Sequence, residues 1–100
     1  MRFPRLSSIK TDEGILYFKV KSSDNIHTAF IEVLHDLRFP TSDIEDIDMC
    51  FTGMETHRHF KHEGYNINII ITGDYVHTII EFKPGKKKEL MNIIEQHFNL

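Results

Sequence analysis

The sequence predicts an α+β fold: one domain on a sheet of four to five strands, antiparallel or mixed, with two helices packed on one face. Three patterns carry this expectation. Residues 65–82 hold two runs rich in Ile, Val, Thr and aromatics, split by Gly73-Asp74. Apolar residues recur at helical spacing over residues 26–37, and again over residues 90–98. The first pattern has the period of a half-buried strand pair, and the other two have that of helices lying on a core.

Gly73-Asp74 suits a tight two-residue turn, and placing the turn there fixes the register. Thr72 then faces Tyr75, followed outward by Ile71/Val76, Ile70/His77, Ile69/Thr78, Asn68/Ile79, Ile67/Ile80, Asn66/Glu81 and Tyr65/Phe82. Side chains alternate between faces, so Ile67, Ile69, Ile71, Val76, Ile80 and Phe82 share one face and belong in a core. The other face carries Asn66, Asn68, Ile70, Thr72, Tyr75, His77, Ile79 and Glu81, and can meet solvent or a partner.

From the N-terminus, residues 5–10 and 14–21 predict a first pair of strands around Thr11-Asp12-Glu13-Gly14. In the second strand Ile15, Tyr17 and Lys19 alternate with Leu16, Phe18 and Val20, so both faces are partly apolar. Ser22-Ser23-Asp24 offers side-chain acceptors where a helix starts. The stripe of Ile26, Ala29, Phe30, Val33, Leu34 and Leu37 follows and ends at Arg38-Phe39, just before Pro40. At 1.5 Å per residue this helix runs about 22 Å, enough to cross a small sheet. Ile47, Met49 and Phe51 alternate like a strand, which puts Cys50 on its opposite face. Residues 53–64 show no clear period and read as a loop. After the hairpin, Lys83-Pro84-Gly85 breaks the chain, and residues 86–98 read as a closing helix that packs through Leu90, Ile93, Ile94, His97 and Phe98. The expected order is β-β-α-β-β-β-α.

One hundred residues with 40% hydrophobic content fit a single domain over residues 1–100. A chain of this size buries roughly 65% of its unfolded surface, enough for one core without staples. The formal net charge of −3 makes nonspecific attraction to nucleic acid or membrane an unexpected role. All seven histidines are neutral in that figure, and protonating them would reverse its sign. The lone Cys50 excludes an intramolecular disulfide and fits a reducing, cytoplasmic compartment. The basic N-terminus has no apolar run behind it, so no secretory signal is expected. Ile69-Ile70-Ile71 is far too short to span a membrane.

Three local clusters could carry chemistry. THRHFKHE places His57, His59 and His62 close together, and imidazoles are good zinc ligands. In a strand His57 and His59 share a face and His62 does not, so zinc needs an irregular loop here. No other cofactor is suggested. The acidic stretch of Asp43, Glu45, Asp46 and Asp48 lacks the spacing of a calcium loop, but offers a patch for a basic partner. Finally, Lys86, Lys87 and Lys88 open the last helix, where its dipole favours acids; this inversion of the usual preference suggests an anion site.

The order helix, three strands, helix, with lysines opening the second helix, is similar to a double-stranded RNA-binding domain. The resemblance covers residues 24–98 and rests on the lysine run. It implies phosphate contacts from Lys86, Lys87 and Lys88, with a contribution from residues 53–64.

No phosphate-binding glycine loop or nucleophile elbow is present, so a non-enzymatic role is the leading expectation. That role is a small protein-binding module, an inhibitor or immunity-type protein acting on a basic partner. Its expected surface joins Asp43, Glu45, Asp46 and Asp48 to Tyr75, His77 and Ile79. Binding of duplex RNA or phosphate through Lys86, Lys87 and Lys88 is the alternative, and a metal-dependent enzyme using the three histidines is the second alternative.

Overall fold

The register set by Gly73-Asp74 is the one the chain adopts. In the computed structural model, which describes residues 3–50 and 55–99, β4 (Tyr65–Ile71) and β5 (Tyr75–Phe82) pair antiparallel from Tyr65↔Phe82 through Ile69↔Thr78 to Ile71↔Val76. The Thr72 N–H donates to the Tyr75 carbonyl at 2.9 Å and closes the turn. Ile67, Ile69, Ile71, Val76 and Ile80 are buried, and Phe82 packs against the same core from its edge.

β1 (Leu6–Asp12) and β2 (Ile15–Lys21) form the expected first hairpin. Its second strand does not stay at the margin. β2 pairs antiparallel with β5, Leu16 opposite Ile80 and Val20 opposite Val76. Among the described residues the sheet therefore has five antiparallel strands in the order β1-β2-β5-β4-β3, where β3 is Thr56–His62.

That last strand corrects the expected loop over residues 53–64. Two residues, Glu63 and Gly64, take positive φ angles of 29° and 90° and make the tight turn into β4. Thr56 to His62 then lie opposite Ile71 to Tyr65. A two-residue turn with positive φ at both positions matches the right-handed twist of its flanking strands, and glycine takes that conformation without a steric cost.

The expected strand through Ile47, Met49 and Phe51 is a second correction. Ile47 and Met49 belong to a helix, α2 (Thr41–Cys50), and Phe51 lies outside the described residues. Ile44 and Ile47, three residues apart, are both buried, so one helical turn puts them on the same inward side. The described residues thus form three helices rather than two, in the order β-β-α-α-β-β-β-α.

α1 (Asp24–Asp36) buries Ile26, Ala29, Phe30, Val33 and Leu34 as its spacing requires. It ends with the Arg38 N–H on the His35 carbonyl and the Phe39 N–H on the Leu34 carbonyl, both at 3.0 Å. Arg38 carries the left-handed φ of 62° that this kind of helix stop needs. The Pro40 carbonyl, two residues on, accepts the Asp43 N–H at 3.0 Å and starts α2 without a connecting loop. α3 (Lys87–His97) buries Leu90, Ile93 and Ile94, with Phe98 buried just beyond its end.

All three helices contribute to one core with the inward side chains of β2, β3, β4 and β5. Its centre is an aromatic triad from three elements: Phe18 of β2, Phe30 of α1 and Phe98, with ring centroids 5.2 to 5.9 Å apart. His97 joins α3 to α1 at the surface, with Nδ1 2.9 Å from Glu32 and Nε2 2.6 Å from Asp36. Among the described residues, no helix is long and apolar enough to cross a membrane.

Candidate functional site

The pleat separates the expected partner surface into two parts. On β5, Val76, Thr78 and Ile80 face the helices, so Tyr75, His77 and Ile79 face the other way. The acids lie on α2, which packs against the helix-covered side. Asp43, Glu45, Asp46 and Asp48 therefore do not share a surface with Tyr75, His77 and Ile79. The sheet stands between them.

The α2 side is acidic and partly neutralised. Asp46 Oδ2 lies 3.6 Å from the Arg58 Nε of β3, and Asp48 pairs with His27 of α1. Such exposed pairs are worth about 0–1 kcal/mol each, so they orient the side chains more than they stabilise the fold. Glu45 points outward, and Asp43 lies half-exposed in the first turn, where a carboxylate favours the helix dipole. Next to them Met49 is 72% exposed, the most exposed of the large hydrophobic residues described. Glu45, Asp48 and Met49 fall at helical spacings of three and four, so they form one outward stripe while Ile44 and Ile47 face the core.

Among the described residues no helix lies over the other side of the sheet. Here β2 contributes Tyr17, Lys19 and Lys21 beside the residues of β5, because Tyr17 lies opposite Ile79, Lys19 opposite His77 and Lys21 opposite Tyr75. The Tyr17 hydroxyl is 3.0 Å from His77 Nδ1, and the two ring planes are only 24° apart. Lys19 Nζ lies 4.7 Å from the Tyr75 ring centroid. β4 adds Asn66, Asn68 and Ile70 to the same face, all half-buried.

The histidine cluster is divided in the same way. β3 is a strand, so His57 and His59 lie on the open face, opposite Ile70 and Asn68. His62 falls on the helix side, where its ring centroid is 5.3 Å from that of Phe39. His57 meets Glu55 at 3.1 Å, and His59 bonds to Asn66. The three imidazoles do not converge. Among the described residues no group of three His, Cys, Asp or Glu side chains is placed to hold a metal ion.

Lys86, Lys87 and Lys88 lie at the start of α3. Lys86 Nζ is committed locally, 3.8 Å from Glu89 and 5.9 Å from the Tyr65 ring centroid. The Tyr65 hydroxyl donates to Glu89 Oε2 at 2.6 Å. Burial, then that hydrogen bond and the charge of Glu89, push the Tyr65 phenol well above its ordinary range. A cleft of about 530 Å³ opens nearby, with Lys61, His62, Lys83, Glu63 and Glu81 on its walls, so its charge is mixed.

Sequence reasoning missed Lys19, Lys21 and Tyr17 as neighbours of Tyr75 and His77, and Met49 as an outward residue. The second had a local signal: Ile44 and Ile47 already fit a helix that turns Met49 away from them. The first had none, because it depends on strands far apart in the chain. No family model, curated protein or solved structure matches this chain.

Proposed function

We propose that the chain is a small non-enzymatic protein-binding module of the inhibitor or immunity type, acting on a basic partner in a reducing, cytoplasmic setting. The observation that supports it is the outward stripe of α2, where Glu45 and Asp48 flank an exposed Met49. Acidic groups steer a basic partner into encounter, and a flexible apolar side chain supplies a contact that loses water on binding. Asp43 and Asp46 extend the same negative field. From Glu32 to Cys50 six carboxylates stand against one fixed positive charge, Arg38, so the net field is negative even with Arg58 on Asp46 and His27 on Asp48.

The test begins with capture of the partner from host lysate and its identification by mass spectrometry. With the purified partner, Glu45→Lys combined with Asp48→Lys should slow association, and the deficit should shrink as salt rises. Met49→Ala should leave association unchanged and speed dissociation about tenfold. An acidic partner, or one that binds both variants normally, overturns this reading.

A further inference from the structure

The open sheet face has a chemistry the α2 surface does not share. We propose that it binds single-stranded nucleic acid, with Tyr17, Tyr75 and His77 as a stacking platform and Lys10, Lys19 and Lys21 along the phosphates.

Charge is the first support. The chain is acidic overall, yet the open-face residues of β2 at and beyond Tyr17, with their β5 partners, include Lys19 and Lys21 and no carboxylate. Lys10 stands opposite Tyr17 on β1 and extends the basic strip to the sheet edge. Two acids of this face, Asp12 on β1 and Glu81 on β5, flank Ile15 at the other end of β2, Glu55 is held by His57 on β3, and Asp74 sits in the turn beside Tyr75. A polyanion is therefore drawn to the Lys19–Lys21 end and repelled from the Ile15 end. Local field, not net charge, decides where it sits.

Flat groups are the second support. Tyr17, His77 and Tyr75 lie on adjacent strands, with ring centroids 6.3 and 6.4 Å apart along the series. Every base has a π face, so such a row accepts bases whatever their sequence. Lys19 rests on the Tyr75 ring, a weak contact at a half-exposed site, and its flexible stem lets it exchange the ring for a phosphate. At the Lys21 end a cleft of about 540 Å³ is lined by Lys21, Arg5 and Ser23. That gives the backbone of a longer strand a basic exit.

Shape decides between single and double strands. A duplex hides its base faces and offers only backbone to the open sheet, which would leave the tyrosines without a role. An acidic protein could satisfy the lysines, but would not need three aromatic rings in a row.

This inference is independent of the α2 reading, and its test uses different residues. Binding of a short fluorescein-labelled oligouridine to the full chain is followed by anisotropy across a salt series. The expected result is binding that weakens with salt at a log–log slope of about −2, as three phosphate contacts require. Lys19→Ala with Lys21→Ala should reduce that slope to about −0.7. Tyr75→Leu should weaken binding about tenfold at fixed salt, while Tyr75→Phe, which keeps the ring, should bind as the parent does. Circular dichroism confirms that each variant is folded. Glu45→Lys with Asp48→Lys lies on the far side of the sheet and should keep the effect of Tyr75→Leu intact. No binding at low salt overturns the proposal, and so does equal loss in Tyr75→Leu and Tyr75→Phe. Preference for duplex RNA of the same sequence also overturns it, as does displacement of the oligonucleotide by polyglutamate at equal charge; the latter would make this a face for acidic proteins.

Discussion

At the scale of single residues, two buried hydroxyls behave in opposite ways. Thr78 is 1% exposed on β5, and its Oγ1 has no hydrogen-bond partner among the described residues. A buried hydroxyl without a partner loses its water and gains nothing in return. Thr78→Val fills nearly the same volume with a methyl group, and should raise the unfolding free energy by about 1 kcal/mol in urea denaturation. Tyr65 is buried too, but its hydroxyl donates to Glu89 and its pKa is raised. The unfolded phenol ionises near its ordinary value of 10, whereas the folded one holds its proton to higher pH. Stability from Tyr65 is therefore complete below pH 10 and falls as pH rises through the gap between the two values. Tyr65→Phe should cost about 1 kcal/mol at neutral pH and flatten the alkaline loss seen in a pH series of urea midpoints. An unchanged alkaline slope would mean that another group controls it.

At the scale of elements, what could be read from the sequence follows from how local each signal is. The β4–β5 hairpin is legible to the residue because its turn and both alternating runs lie within residues 65–82. α1 is legible for the same reason, its stripe and its stop lying together. α2 is not, because Ile47, Met49 and Phe51 fit a period of two while Ile44 and Ile47 fit a helix, and a short apolar set cannot separate them. Packing chooses: the helix buries Ile44 and Ile47 together, whereas a strand would put them on opposite faces. β3 was hidden by polar residues. Only Phe60 is fully buried along it, as expected of an edge strand with charged and imidazole side chains outward. The open face was half legible: alternation puts Tyr75, His77 and Ile79 together, but their pairing with Tyr17, Lys19 and Lys21 spans the chain. If α2 is held by its two isoleucines, Ile47→Ala should cost about 2–5 kcal/mol in thermal or urea unfolding. Met49→Ala, on the same helix but outward, should cost under about 0.5 kcal/mol. Equal costs would place the inward side of α2 wrongly.

At the scale of the whole molecule, the β2–β5 seam makes the fold one cooperative body. The N-terminal hairpin and the C-terminal meander are each local, and the links that hold them together include the ladder from Ile15↔Glu81 to Lys21↔Tyr75 and the packing of Phe18, Phe30 and Phe98 behind it. Each of the three rings is at most 2% exposed, and each comes from a different part of the chain. Removing one leaves a cavity that neither of the others can fill without leaving its own element. Phe98→Ala should therefore cost about 3–5 kcal/mol, although Phe98 lies beyond the last turn of α3, where chain ends usually fray. The loss should also be shared. Far-ultraviolet circular dichroism follows the helices and strands, and tyrosine fluorescence follows Tyr17, Tyr65 and Tyr75 across β2, β4 and β5, with no tryptophan to mask it. In both the parent and the Phe98→Ala chain the two signals should give one midpoint, lower in the variant, because unfolding either hairpin exposes the seam of the other. Separate midpoints in the variant would show that the triad is what couples the halves. Separate midpoints in the parent would show that the β2–β5 ladder does not make them one unit.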